Sequence, residues 1–500
     1  MVSSGAVIGL SGFRSHATVA VSSAGELVAA CPLERLTRVR GLGFRDTVWP
    51  SDAIAANLHA AGVPPGVMPD ILAAGPEFAL FDGRTCRTVD HHNAHAASAF
   101  FTSPFERAAV IVCDTSGQEV SVWRGLRHDL GRQDFPWRGA GFARLYSDLA
   151  ARLGASSGQE RVVEDLARLI PDTLDDAALP LVRYRDHSLI VSPRLAERVD
   201  VSPGATVARS EAARVILQTI GHALLDFLAD VRASIDEPNL CVAGGLFHNA
   251  YLNALVAQSP HFERTFVPVS CGNGGLAAGA ALLGMARRQA VPAAASSPFL
   301  GPGYGNGDIK VVLENCKLSY TALDDDRLID AVVSELQSGR LVAWFRDRME
   351  WGPRALGNRC IFADPLSEYA SENLNQFLKQ RPSYRSYGLV VSDEDVATYF
   401  EGPPRSPHME CEYRVRDPRL FRGILPPGAD RLRVQTIAAE STALRSLLRT
   451  FGQLTGVPVL VNTSFNGFHE PIACTPRDAV RIFYGTGLDA MAIGSFWLTK

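Results

Sequence analysis

His91 and His95 stand four residues apart in the run Asp90-His91-His92-Asn93-Ala94-His95-Ala96-Ala97-Ser98-Ala99-Phe100. On a helix that spacing puts both imidazoles on one face, within reach of one cation or one anionic oxygen. The plainer alternative is a helix with one buried, hydrogen-bonded histidine and two solvated ones. Three histidines within five residues, a following run of small residues that lets the helix pack closely, and an acidic turn at Asp114 favour the site.

A second concentration of chemistry lies beyond residue 345. Arg346, Arg348, Arg354 and Arg359 fall among glycines and a proline, a rigid cationic loop suited to fork-shaped contacts with phosphate or carboxylate. Lys379, Arg381 and Arg385 follow within seven residues, interleaved with Tyr384 and Tyr387 rather than with acids, so a plain solvated basic face fits poorly. Near the C-terminus, Val459-Leu460-Val461 reads as a short strand whose end carries Asn462-Thr463-Ser464-Phe465-Asn466. Polar groups at strand ends are where α/β folds place ligands, although a plain polar turn reads equally well from this stretch alone.

The elements that position these residues are legible as α/β. Ala6–Leu10, Thr18–Val21 and Leu27–Cys31 read as strands around small-residue turns, the first turn carrying Arg14 and His16. Arg107–Cys113, the turn Asp114-Thr115-Ser116-Gly117 and Val120–Trp123 repeat that design. The repeat suggests either the two phosphate-holding turns of an actin or hexokinase type fold, or two unrelated hairpins. A helix from Glu211 to Val231 feeds a buried strand, Leu240–Ala243, then Gly244-Gly245 and a helix with Asn249 and Asn253, a natural phosphate or nucleoside position. Cys271-Gly272-Asn273-Gly274-Gly275 repeats the theme. Val291–Gly307, rich in Pro, Gly and Ser, reads as a connector between domains. Thr475-Pro476-Arg477-Asp478 is a helix start.

At 500 residues the chain exceeds one core, and we expect domains at 1–295 and 296–500. Net charge −4 and a pI near 6.3 advertise neither nucleic acid nor an anionic membrane as partner. Nine scattered cysteines without a C-x-x-C pair argue for reduced thiols in a cytoplasm and against a disulfide scaffold or structural zinc. Cys113 and Cys241 read as core thiols rather than nucleophiles. Met1–Ala6 shows no secretory pattern, and the longest small-apolar run, Gly274–Ala286, is shorter than a membrane span.

Five motifs in order carry a resemblance over nearly the whole length: His-His-x-Ala-His-Ala-Ala-Ser-Ala-Phe, Ala-Gly-Gly-x-x-x-Asn, Trp-Gly-Pro-Arg-Ala-Leu-Gly-Asn-Arg, Lys-x-Arg-x-x-x-Arg and Asn-Thr-Ser-Phe-Asn-x-x-x-Glu-Pro. Leu33–Arg38 and Ser406-Pro407-His408-Met409 add to it. The chain resembles the carbamoyltransferases that include the nodulation-factor, cephamycin, novobiocin and tobramycin enzymes. The resemblance implies an N-terminal domain of actin/hexokinase type, similar to the tRNA threonylcarbamoyl-transfer protein, and a C-terminal YrdC-like α/β domain. It implies carbamoyladenylate formation from carbamoyl phosphate and ATP, Mg2+ accompanying the nucleotide, then transfer of the carbamoyl group to a small-molecule hydroxyl at an iron-containing site.

Carried over residue by residue, the resemblance gives Arg354, Lys379, Arg385, Arg433 and Asn466 the carbamoyl phosphate and ATP site, with Arg354 and Lys379 catalytic. His91, His95 and Asp114 become Fe(II) ligands, His16 the general base toward the acceptor hydroxyl, and Gly244, Gly245 and Asn249 the adenylate site. Three departures fall in the N-terminal domain. Asn273 replaces the aspartate that completes the metal site, and an amide binds a divalent cation less tightly. Thr115 and Gln118 replace a glycine and a glutamate, and the Gly-Lys-x-Met-Gly-Leu-Ala segment is unrecognisable at Ser157–Val162. Alternatives therefore stay open: an amine acceptor, another acyl phosphate donor, or a nucleotide-binding protein of actin-like fold without turnover. A tRNA-modifying enzyme lacks the basic stripe it would need. A homodimer also stays open.

Overall fold

The computed structural model describes residues 5–46, 51–60, 62, 69–81, 84–156, 158–170, 181–202, 204–287, 297–438 and 442–500. The chain divides into two units, Met1–Leu33 with Gly41–Ser297, and Glu34–Arg40 with Pro298–Lys500. The expected boundary at 295/296 lies outside the described residues.

Apolar runs separated by small-residue turns build the first unit. β1 (Val7–Ser11), β2 (Thr18–Ser23), β3 (Glu26–Pro32), β4 (Asp70–Ala74) and β5 (Arg87–Val89) form one sheet in the order β3-β2-β1-β4-β5. After helix α1 (His91–Phe101) come β6 (Arg107–Cys113), β7 (Val120–Leu126), β8 (Asp129–Arg132), α2 (Phe142–Arg152), α3 (Thr206–Ser234), β9 (Asn239–Ala243), α4 (Ala250–Ala257), β10 (Arg264–Phe266) and α5 (Leu276–Ala286). The second sheet runs β8-β7-β6-β9-β10. In both sheets the first three strands are antiparallel neighbours, and the remaining two join parallel. The two hairpins thus belong to one duplicated plan, that of the actin/hexokinase type. Small residues permit the close approach of helices α1 and α5, because a Cβ on Gly279 would lie 1.9 Å from the Ala94 carbonyl oxygen.

α3 runs 29 residues and is long and apolar enough to cross a membrane, but 78% of its most apolar window is buried inside the first unit. It is a core helix.

The second unit is built on one mixed sheet of ten strands. They are β11 (Thr321–Ala322), β12 (Val342–Phe345), β13 (Arg359–Ala363), β14 (Gly388–Ser392), β15 (Phe400–Glu401), β16 (Cys411–Val415), β17 (Arg431–Ile437), β18 (Val459–Ser464), β19 (Ala490–Ile493) and β20 (Phe496–Thr499), in the order β11-β20-β19-β12-β13-β18-β14-β17-β16-β15. Helices α6 (Asp325–Gln337) and α7 (Thr442–Thr455) bury Leu328, Val332, Leu447 and Phe451 against Trp344, Phe362, Val390 and Leu460 of the sheet. α8 (Pro476–Gly485) starts at Thr475, whose side chain accepts from the Asp478 N–H in a capping box, as its sequence specifies.

The division between Ser297 and Pro298 falls inside the expected connector, Val291–Gly307. Glu34–Arg40, expected with the N-terminal domain, belongs to the second unit: Arg38 donates to the carbonyls of Ile472 (2.6 Å) and Pro471 (2.7 Å), and pairs with Asp478 at 3.4 Å. In the described part of that connector, Gly301 and Pro302 exchange backbone hydrogen bonds with Met349. Arg348 adds bonds to the Leu300 and Gly301 carbonyls.

Candidate functional site

Asp90 caps α1 by accepting from the Asn93 N–H, which sets the helix register and turns His91 and His95 the same way. Asp114 meets them from the turn after β6. His91 Nε2 lies 3.4 Å from one carboxylate oxygen and His95 Nε2 lies 3.5 Å from the other. One ligand atom from each of the three residues falls within 4.8 Å of the other two, the group of this kind found among the described residues.

His95 is fully buried, yet neither of its ring nitrogens has a hydrogen-bond partner, and His91 Nε2 is in the same condition. Buried nitrogens left unpaired are costly unless something else binds them. Two imidazoles and a carboxylate suit a divalent transition metal held at about 2.0–2.2 Å. Burial alone would raise the Asp114 carboxyl, but the two imidazoles beside it outweigh that and hold it well below the usual carboxylate range. Burial lowers the His95 pKa, with Asp114 opposing. A neutral imidazole beside an ionised carboxylate is the state a metal requires.

The Asp114 carboxylate is also oriented by backbone. Its oxygens accept from the Ser116 N–H at 3.0 Å and the Gly245 N–H at 2.9 Å, so it joins its own turn to the Gly244-Gly245 turn. Gly244 sits at φ +103°, where a Cβ would lie 2.0 Å from the Cys113 carbonyl oxygen. Only glycine fits there. The third histidine is a fastening: His92 bonds Ser121 Oγ at 2.7 Å and the Ser116 carbonyl at 2.9 Å, tying the acidic turn to α1. Sequence reasoning gave it no role, although its place between His91 and His95 signalled one.

Asn249 is the N-cap of α4, its side-chain oxygen accepting from the Leu252 N–H, while its buried Nδ2 has no hydrogen-bond partner. The altered segment after Gly158 supports it from outside. Ser157 lies beyond the described residues, but helix Arg161–Ala167 presents Glu164, which accepts from the Ala250 N–H and from Arg168. Asn273 is exposed at the start of a tight turn, and its carbonyl accepts from Ser11 Oγ at 3.2 Å. His16, the expected base, is exposed on the β1–β2 turn at φ +57°, and its side chain makes no hydrogen bond or ion pair with the histidine–aspartate group. Cys113 and Cys241 are buried; burial pushes the Cys241 thiol up to about 12 and Cys113 further still.

In the second unit, strand register gathers the expected donor site at one end of the sheet. β18 is antiparallel to β13 and β14, pairing Ser464 with Cys360 and Asn462 with Gly388, and β17 is parallel to β14, setting Val434 beside Leu389. Arg433, the residues after Arg385, and Asn462–Asn466 therefore share that end. The polar cluster does not follow the strand, as its sequence suggested, because β18 continues through Ser464.

The cationic loop differs from its expected form. Arg348 and Arg359 are spent on backbone carbonyls, Arg359 on those of Arg346, Asp347 and Asn358, and burial lowers the Arg359 pKa to about 10. Arg346 pairs with Asp325 at 2.9 Å. Arg354 is half-buried on the same loop. Glu350, which sequence reasoning passed over, fixes the loop: one of its oxygens accepts from the N–H groups of Leu356, Asn358 and Arg359. From the sheet, Gln435 donates to the Leu356 carbonyl and Asn462 to that of Ala355. Arg385 is half-buried, whereas Arg433 is buried on β17 opposite Glu412. Lys379 is also buried rather than presented to solvent. It donates to the Ser464 and Asn466 carbonyls and to Asn466 Oδ1.

Residues 333–500 match the family model for the carbamoyltransferase C-terminus. An uncharacterised protein of Synechocystis, sll1178, is 31% identical over 493 residues, covering 84% of this chain and 79% of its own. Nodulation protein NolO of Bradyrhizobium diazoefficiens is 28% identical, covering 82% and 79%, and the 3'-hydroxymethylcephem-O-carbamoyltransferase of Amycolatopsis lactamdurans is 27% identical, covering 80% and 81%. The chain belongs to the carbamoyltransferase family and is an enzyme.

Proposed function

We propose that this enzyme activates a carbamoyl group with ATP in its second unit and transfers it in its first unit to a hydroxyl of a small-molecule natural product. Atom balance defines the first half. Water releases phosphate from carbamoyl phosphate, and an oxygen of the resulting carbamate displaces pyrophosphate from the α-phosphorus of ATP to give carbamoyladenylate. Two polyanions must be held in line for this, with Mg2+ on the nucleotide, and cations fixed in advance offset their repulsion. The observation that carries the reading is the convergence of Arg433, Lys379, Asn466 and the Arg354 loop at one end of the second sheet.

In the second half the acceptor hydroxyl displaces adenylate from the carbamoyl carbon, and His16 takes the hydroxyl proton. Gly244, Gly245 and Asn249 hold the adenylate. His91, His95 and Asp114 would hold Fe(II) or a similar divalent metal, which would supply Lewis-acid polarisation; Asn273 leaves that site one carboxylate poorer than the family pattern. Acceptor choice lies with the first unit, and an amine acceptor is the second reading; the replacements at Asn273 and Gln118 favour instead a nucleotide-binding protein without turnover, and the arginine and lysine motifs of the second unit count against that. The nine scattered cysteines, without a C-x-x-C pair, support a reducing compartment, the cytoplasm.

The test is pyrophosphate release from purified protein given ATP, with and without carbamoyl phosphate and without acceptor, coupled to mass detection of carbamoyladenylate. Release that depends on carbamoyl phosphate is expected. No release from folded protein that still binds ATP would sink the activation half.

A further inference from the structure

A cavity of about 680 Å³ opens in the first unit beside the acidic turn, lined by Gln118, Arg132, Gln133, Asp134, Phe135 and Trp137 among others. Its volume falls within the roughly 300–1,000 Å³ usual for small-molecule sites. The cavity adjoins the histidine–aspartate group through one turn: the Asp114 N–H donates to the Glu119 carbonyl at 3.2 Å, and Gln118 and Glu119 line the cavity. Arg144 clamps that turn by donating to Glu119 Oε1 at 2.6 Å and to the Thr115 carbonyl at 2.9 Å.

Its aromatic part is rigid. Phe135 meets His187 edge-on at 4.2 Å and Phe227 at 5.7 Å, while Trp137 stacks on Tyr184 at 6.0 Å and meets Phe227 edge-on at 5.7 Å. Neither ring can turn away without opening the core. The polar part is mixed: two amides, Gln118 and Gln133, offer donors and acceptors together, one N–H of Gln133 being held by the Gly131 carbonyl at 3.1 Å. Arg132 and Asp134 cancel in formal charge, and Glu119 is already engaged by Arg144 and the Gly141 N–H. Such a lining does not select a phosphate. It suits a ring whose C–H face lies on an aromatic surface and whose edge carries hydroxyls that both give and accept hydrogen bonds.

We propose that this cavity binds the carbamoyl acceptor, and that the part it recognises is a ring bearing several hydroxyls and no net charge, stacked on the aromatic lining and bonded by Gln118 and Gln133. Calling that ligand the acceptor rests on the transfer reading. Binding itself does not.

Saturation-transfer NMR on the full chain tests it, with methyl β-D-glucopyranoside and myo-inositol as probes and adenosine as the contrasting ring. Saturation of the hydroxylated rings is expected, with affinity about tenfold weaker in Gln133→Ala, the loss of roughly one hydrogen bond's worth of binding. Trp137→Leu should weaken it further, and its thermal melt checks that it folds; Gln133→Ala, at the rim, keeps the test valid if it does not. No saturation of either probe in the wild type, or saturation that both folded variants leave unchanged, overturns the proposal. So does saturation of adenosine alone that the same variants abolish. Wild-type protein that binds the rings but releases no pyrophosphate with carbamoyl phosphate would remove the transfer reading and leave the ring site standing.

Discussion

Lys379 donates to the side-chain oxygen of Asn466 at 2.6 Å, and the same oxygen accepts from Ser464 Oγ at 2.8 Å. Together they fix the amide so that its N–H points at the Glu470 carbonyl, 2.7 Å away. Burial, helped by the Arg381 charge, holds the Lys379 pKa well below its ordinary value. Lys379→Met removes the donor from three oxygens at once. We expect pyrophosphate release to fall at least about hundredfold and stability to drop by about 3 kcal/mol. Unchanged release would show that the Lys379–Asn466 pair has no part in activation.

Arg354 separates positioning from grip. Its loop is held by Glu350, Gln435 and Asn462, so Arg354→Ala should abolish pyrophosphate release while moving the urea midpoint little. Glu350→Ala should do both. It leaves the N–H groups of Leu356, Asn358 and Arg359 without this acceptor, at about 1–3 kcal/mol for each buried group wholly unsatisfied, and it frees the loop that carries Arg354. Activity assays and urea titrations on the two variants check this; an Arg354→Ala protein with wild-type release would remove that residue from the donor site.

Features that depend on local spacing or on a single capping side chain were legible in the sequence: the α1 pattern, the two small-residue turns and the Thr475 cap. The duplication of the sheets was half-readable, since two matched hairpins were visible but not the parallel strands that complete them. What stayed hidden depends on long-range geometry. Arg348 and Arg359 look like ligand-binding arginines in a string of letters, and only the fold shows them spent on carbonyls. Glu350 disappears among basic neighbours, although an acid inside an arginine run is itself a sign of internal pairing. Glu34–Arg40 changes unit because Arg38 finds carbonyls more than four hundred residues away, as the separation of 434 between Arg38 and Ile472 shows.

Glu237 gives a stability test with a defined sign. Its side chain is buried between the Arg107 and Arg124 guanidiniums, at 2.5 and 2.8 Å. Burial opposes its ionisation, but the two arginines outweigh that and hold its pKa below the ordinary value. A depressed carboxylate stabilises the fold above its unfolded pKa and loses that contribution as pH falls through its folded value. Wild type should therefore exceed Glu237→Gln by about 1 kcal/mol at pH 7, with the gap closing below about pH 4. Urea titrations across that range decide it; a gap that widens on acidification would contradict the assignment.

The histidines of α1 should part company when metal is counted. His95 holds two buried nitrogens without a hydrogen-bond partner, one of them facing Asp114, whereas His92 spends both of its own on Ser121 and the Ser116 carbonyl. If the first is a ligand and the second a fastening, His95→Ala should drop bound divalent metal in protein purified after iron loading to background, with the loss of fold confined to its contact with Asp114. His92→Ala should cost about 1 kcal/mol, from losing its bonds to the Ser121 hydroxyl and the Ser116 carbonyl, yet keep most of the metal. Elemental analysis and thermal melts on both variants read the two effects independently. Asn273→Asp adds a third arm: a carboxylate there should raise occupancy above the wild type if that turn reaches the ion. Should His92→Ala lose metal as completely as His95→Ala, the acidic turn itself, rather than the pair of unbonded rings, would be what the site depends on.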